Sequence, residues 1–300
     1  MEPFLGSPDT KDKLSRLEQY LQQYSLALKE QKFARIYIDA FAGSGHRTEV
    51  RPALPLFGAE PEEVNTPGSA RIALGINPPF HTVALIEEDP ERAAQLEKLK
   101  DEFPDRKIVV RQGDANDWVK ALCRNVPWHK KQASILGMRG VVFLDPFGME
   151  VDWSTVEAIA ETRALDCWYF FPLSGLYRNA PHDPRKLDAS KEAALDRVLG
   201  TPTWRAEWYK SQTQRTMFET EAEATERADV DAIEAFVAQR LRTVFKGTVM
   251  EPVRLRHNGG APMASLFFAV SNPSGPAVGL AQRIASYILK GSSSNVRPRS

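Results

Sequence analysis

Cysteine is nearly absent. The 300-residue chain has two, Cys123 and Cys167, and no C-x-x-C pair. That excludes a disulfide framework and a thiolate zinc site, and it fits a reducing compartment. A charge excess is missing too, since 39 basic residues face 39 acidic ones. Such a balance carries no electrostatic footprint of nucleic-acid binding. The local basic clusters His129-Lys130-Lys131 and Arg254-Leu255-Arg256-His257 read first as solvated surface charge. No apolar run approaches the roughly 18 residues that span a bilayer. The opening residues, MEPFLGSPDTKDK, hold no apolar h-region, so the expectation is a cytoplasmic protein with no secretory signal and no membrane span. The five histidines show no H-x-x-x-H spacing, and no metal site is predicted.

What is present is a globular composition long enough to bury a full core. Leu14, Leu17, Leu21, Tyr24 and Leu28 recur three and four apart, which predicts a helix docked ahead of a sheet. Short apolar runs follow: Arg35–Phe41, Thr82–Ile86, Lys107–Val110, Gly140–Leu144 and Cys167–Phe171. Their continuous β-branched and aromatic character predicts strands buried on both faces, as in a parallel sheet. Helical stretches separate them, with Thr66-Pro-Gly-Ser69 and Asp152 as expected caps. The expected fold is a doubly wound, mostly parallel α/β sheet. Residues 176–230 show no clear strand and read as a charged helical insertion or lid, with helices over Lys186–Leu199 and Trp204–Thr220. Strand-like runs Val249–Leu255 and Ser265–Val270 then return. The α/β domain is expected over 1–175 and 231–290, with a disordered tail at 291–300.

Four of the five apolar runs lead to an acid: Asp39-Ala-Phe41-Ala-Gly43-Ser-Gly45, then Glu87-Glu88-Asp89-Pro90, Gly113-Asp114-Ala115-Asn116 and Asp145-Pro146-Phe147-Gly148. Open α/β sheets bind ligands outside their carboxyl strand ends. Gly43 and Gly45 let backbone approach a ligand unobstructed. Glu87 suits two ribose hydroxyls, Asp114 an amino group of adenine, and Asp39 either the glycine loop or an ammonium. Glu88 is expected to face away. A nicotinamide fingerprint needs a third glycine where Thr48 stands, and a phosphate loop needs a Lys-Ser/Thr pair that His46-Arg47-Thr48 lacks. Each acid alone reads equally as a helix cap. Four at successive strand ends favour an adenosyl ligand with a cationic centre.

Asp39-Ala-Phe-Ala-Gly-Ser-Gly resembles the first motif of class I methyltransferases, in a form frequent among enzymes that methylate nucleic-acid bases. More closely, YIDAFAGSG, GSARIAL, LIEEDPERAAQL, GDAN, VVFLDPFGMEVDW and FFPLSGLYRN together resemble the three-Cys-motif partner family, class I methyltransferase-like proteins encoded beside a three-cysteine, iron–sulfur-type protein. The resemblance spans nearly the whole chain and implies that fold and S-adenosylmethionine as cofactor. The expected cofactor-binding residues are Asp39, Phe41, Gly43, Gly45, Ser69, Glu87, Asp114 and Ala115. Asp145-Pro146-Phe147-Gly148 stands where amino-methylating enzymes carry D-P-P-Y, which makes Asp145, Pro146 and Phe147 the candidate catalytic residues. Phe147 either stacks on a substrate or packs in the core. Neither cysteine stands where a thiol nucleophile is needed. The expected activity is methyl transfer to a nitrogen or oxygen nucleophile, a nucleobase among the candidates. The alternative is a cofactor-binding interaction protein serving a three-cysteine partner without methyl transfer of its own.

Overall fold

The computed structural model describes residues 8–51, 62–132, 134–209, 211–213, 223–225, 227–256 and 260–290. The expected tail at 291–300 lies outside the described residues. In α1 (Pro8–Ala27) the repeating Leu14, Leu17, Leu21 and Tyr24 are all buried. The chain continues through β1 (Ala34–Asp39), a pair of strands β2 (His46–Arg51) and β3 (Glu62–Pro67), then α2 (Ser69–Gly75). Next come β4 (Thr82–Glu87), α3 (Pro90–Glu97), α4 (Leu99–Glu102), β5 (Ile108–Gln112), α5 (Ala115–Asn125), β6 (Met138–Leu144), α6 (Trp153–Glu161) and β7 (Leu165–Phe171).

The five runs read as strands form one parallel sheet in the order β5-β4-β1-β6-β7. Their side chains divide between two faces by the period-two rule of strands. Tyr37, Leu85, Phe143, Trp168 and Phe170 face α1 and join Leu17 and Leu21. Ile38, Ile86, Leu144, Tyr169 and Phe171 face the opposite way and join Val156 and Ile159 of α6. The sheet is therefore sandwiched between helical layers, and neither face of these strands is free for polar alternation.

Beyond β7 lie α7 (Leu173–Asn179), α8 (Ala189–Leu199), α9 (Trp204–Trp208), β8 (Ser211–Thr213), β9 (Glu223–Thr225) and α10 (Val230–Val244). Two expectations fail here. The helix expected over Trp204–Thr220 stops at Trp208, and Ser211–Thr213 pairs instead with Glu223–Thr225. Trp204 and Trp208 bury their rings one turn apart, but Ser211 and Gln212 offer no apolar successor to that stripe. Leu195, Val198, Trp204 and Trp208 join the core of the α6 face. Gly200 closes α8 with φ +64°, and a Cβ there would overlap the Trp153 ring at 2.1 Å.

The remaining elements are β10 (Thr248–Val249), β11 (Val253–Arg256), β12 (Pro262–Val270) and α11 (Gly275–Lys290). β12 runs antiparallel to β7, and β10 and β11 pair antiparallel along its outer edge. The single strand expected over Val249–Leu255 is thus two segments, broken at Pro252, which has no N–H for the ladder. Nor do the expected caps form. Gly68 precedes α2 with no side-chain hydrogen bond, and Asp152 directs its carboxylate to Arg197 Nη1 at 2.6 Å. No helix among the described residues is long and apolar enough to cross a membrane.

At the amino edge of the sheet, Asp166 of β7 accepts a 2.6 Å hydrogen bond from the Tyr20 hydroxyl of α1. Burial pushes its carboxyl up to about 7, against the opposing pull of Tyr20 and Arg139. The folded protein therefore holds this proton more tightly than the unfolded chain, whose aspartates titrate near about 3.9. The stability contribution is complete below about pH 4 and is lost as pH rises through about 7. Asp166→Asn should gain melting temperature relative to the parent between those limits. A difference that does not change with pH would refute this.

Candidate functional site

The direction of winding reverses between β1 and β6, with β4 and β5 on one side and β7 on the other. Such a switch point opens a crevice at the carboxyl ends of the strands. Asp39 ends β1 there, and Asp145 follows β6.

The loop after β1 is held from below. Asp39 is fully buried, accepts the Tyr37 hydroxyl at 3.2 Å, and leaves Oδ1 without a hydrogen bond. Burial pushes its carboxyl up to about 7; the nearby charge of Asp145 adds to the rise, while the Ser69 and Tyr37 side chains and the Phe41 backbone oppose it. The loop's outer side is tied to the second strand end, where the Gly43 N–H donates to Glu87 Oε2 at 2.9 Å. Gly43 has φ +61° and nothing within 4 Å of where a Cβ would stand, so its face is open. Gly45, at φ +79°, instead turns that face onto Leu96 and Leu99. The Gly68 N–H donates to the Gly45 carbonyl at 3.0 Å. The two ends of the β2–β3 excursion therefore meet, and the glycine loop continues in space through Gly68-Ser69 into α2. Counting residues along the chain to Thr48 missed this third glycine.

Two adjoining clefts share Phe41, Arg92 and Phe147 as their common wall. The first, about 360 Å³, is lined by Phe41, Gly43, Ser69, Asp145, Pro146 and Phe147 among the expected residues, with Lys13, His46, Phe170 and Pro172 added. The second, about 540 Å³, contains Phe41, Glu87, Asp114 and Ala115, again bounded by Phe147. Asp39 and Gly45 line neither cleft. The second cleft is rich in carboxylates: Glu87, Glu88, Asp114, Asp117, Glu150 and Asp152 stand against Arg92 and Arg197. Glu88 thus lines the same cleft as Glu87 rather than facing away. Asp114 caps α5 through Oδ1, which accepts the Asp117 N–H at 3.0 Å. Its cap role and its place in the cleft coexist.

Lys13 is the residue that sequence patterning passed over. Its Nζ lies 2.6 Å from Asp145 Oδ2 and 4.2 Å from the centre of the Phe170 ring, and its side chain is 7% exposed. A lysine within a helix's apolar stripe signals such a buried partner, and Lys13 stands beside Leu14 in α1. Phe147 is 69% exposed, which removes the core-packing reading, and the Arg92 guanidinium lies 5.6 Å from its ring centre. Both cysteines are buried. Burial pushes the Cys123 thiol up to about 12 and raises that of Cys167 further still, so neither is poised as a thiolate nucleophile. In the second basic cluster, Arg254 is held by Glu234 and Asp231.

The sheet order decides the fold. A strand antiparallel to the rest, wedged between the fifth parallel strand and the outer edge, is how class I methyltransferase sheets finish. The chain has the class I methyltransferase fold. No protein-family model and no curated protein matches the chain. Solved structures do. A Legionella pneumophila protein is 13% identical, with 94% of each chain covered and a TM-score of 0.48. An S-adenosylmethionine-dependent methyltransferase from Clostridium acetobutylicum is 12% identical, with 86% of this chain and 95% of that one covered and a TM-score of 0.36. The N-terminal domain of EvdMO1 with SAH bound is 10% identical, covering 84% and 79%, at a TM-score of 0.39. These are likenesses of chain course, and the fold assignment rests on the strand order itself.

The Lys13–Asp145 pair is more enclosed than a surface ion pair, which contributes about 0.2–1 kcal/mol. A double-mutant cycle between Lys13→Ala and Asp145→Ala, read by chemical denaturation, should give a coupling above about 1 kcal/mol. Coupling near zero would show that the contact does nothing for the fold.

Proposed function

We propose that this chain binds S-adenosylmethionine across the carboxyl edge of its sheet and directs methyl transfer to a nitrogen or oxygen nucleophile. The observation that carries this reading is the direct bond between the Gly43 N–H and Glu87. It ties the open glycine, which lines the first cleft, to the second-strand acid, which lines the adjoining carboxylate-rich cleft. That set of acceptors suits a ligand that is a cation bearing hydroxyl and amino donors. Glu87 would hold the ribose hydroxyls, Asp114 the adenine amino group, and Phe41 and Ala115 the faces between. When bound, the cofactor supplies an electrophilic methyl group on a sulfonium.

The chain's own part is positioning and hydrogen bonding. Lys13 occupies Asp145 Oδ2, which leaves Oδ1 to accept a hydrogen from the nucleophile. A second hydrogen would go to the Pro146 carbonyl. Those bonds raise electron density on the attacking atom and orient it, and orientation is a large part of the rate such enzymes gain. The exposed Phe147 ring offers a stacking face to a planar substrate such as a nucleobase. Requirement for a paired three-cysteine protein belongs to the same proposal and is read by whether turnover depends on its addition.

Calorimetric titration with S-adenosylmethionine should show binding, and its absence in the folded wild type would end this reading. Each hydrogen bond to a charged group is worth about 1.5–3 kcal/mol. Glu87→Ala should therefore weaken the cofactor by about tenfold or more. Asp145→Ala should leave affinity within about a few-fold while abolishing release of S-adenosylhomocysteine. Glu91→Ala, an exposed residue of α3, is the control. Unchanged affinity in Glu87→Ala would mean the ribose is held elsewhere.

A further inference from the structure

Arg92 stands between the two clefts and belongs to both. Its Nη2 lies 2.9 Å from Glu87 Oε1, its side chain is 39% exposed, and its buried Nε makes no hydrogen bond, with Asp89 Oδ1 3.9 Å away. The Glu87 carboxylate is already crowded. Oε1 accepts the Asp89 N–H at 3.0 Å beside its ion pair with Arg92, and Oε2 accepts the Gly43 N–H. A carboxylate offers about four acceptor positions. Two are taken by backbone N–H groups, and the Arg92 guanidinium in ion-pair contact crowds Oε1, whereas a ribose diol brings two hydroxyl donors. The Gly43 and Asp89 donors are backbone groups fixed by the loop and by the start of α3. Arg92 is the donor that can leave.

The charges of the first cleft say where it would go. Lys13 is matched by Asp145 at 2.6 Å, and the remaining ionisable lining groups are His46 and Arg92. Once off Glu87, Arg92 keeps only the 3.9 Å contact of its Nε with Asp89 Oδ1 and borders a cleft whose one carboxylate is already paired, with the exposed Phe147 ring alongside it. A guanidinium fork matches an oxyanion such as a phosphate or carboxylate.

We propose that the substrate carries an oxyanion near its acceptor atom, and that Arg92 holds it after the cofactor's ribose has displaced this guanidinium from Glu87. Arg92 is then a positioning residue, and cofactor and substrate bind in that order. The inference rests on the cofactor assignment above.

The test needs no knowledge of the true substrate. S-adenosylhomocysteine is titrated by calorimetry into wild type, Arg92→Gln and Arg92→Lys at constant ionic strength, with and without inorganic phosphate or acetate. Removing the competing guanidinium should make Arg92→Gln bind the ligand about two- to fivefold tighter, the range of a half-exposed ion pair. In wild type, phosphate or acetate should tighten S-adenosylhomocysteine, and by reciprocity S-adenosylhomocysteine should tighten the anion. The anion that responds names the oxyanion. Arg92→Gln should lose that response, and Arg92→Lys should keep it in weaker form. Thermal melts confirm that both variants are folded. Unchanged or weaker binding in Arg92→Gln, or anions without effect on wild type, overturns this proposal while leaving the cofactor assignment intact. Failure of wild type to bind S-adenosylhomocysteine would remove both.

Discussion

A carboxylate at 5% exposure cannot stand unpartnered, because burial of an uncompensated charge costs several kcal/mol. Glu87 meets that demand by gathering the Gly43 N–H, the Asp89 N–H and the Arg92 guanidinium around itself. Through these contacts it sets the path of the glycine loop, the entry into α3 and the wall between the clefts. The site is organised outward from this one group at the end of β4, beside the switch point.

A second line of polar contacts links α1 to both edges of the sheet. Tyr20 bonds Asp166 near the start of β7, and Lys13 bonds Asp145 after the end of β6. Arg16, between them in the helix, donates to the Ile288 carbonyl of α11 at 2.6 Å. The apolar stripe of α1 supplies the burial, while these bonds determine its rotation and register. The orientation of α1 and the partnering of Asp145 are consequently one structural fact.

Charge that cancels over the whole chain is separated within the site. Carboxylates dominate the cleft beyond β4 and β5, and cations outnumber carboxylates in the cleft beyond β6 and β7. Net charge governs solubility and long-range attraction, but a ligand meets only local groups. Zero net charge is therefore compatible with an oxyanion subsite made by one released arginine.

The sheet was legible in the sequence because its strands are buried on both faces and read as unbroken apolar runs, four of the five followed by an acid. Asp39, Glu87, Asp114 and Asp145 were found by that rule alone, and the two clefts contain the last three. Hidden from it was everything set by return of the chain in space. Gly68 completes the glycine loop only because the β2–β3 excursion closes on Gly45, a contact with no signature in residue spacing. The division between an open Gly43 and a packed Gly45 depends on Leu96 and Leu99 of the following helices. Lys13 and Arg92 carry ordinary identities at helical positions, and their pairing with Asp145 and Glu87 appears only once the helices dock. The sequence by itself determined which residues end the strands, since local burial and periodicity act over a few residues. Only the tertiary structure decided which charges face one another, because Coulomb and hydrogen-bond partners are chosen by distance in space.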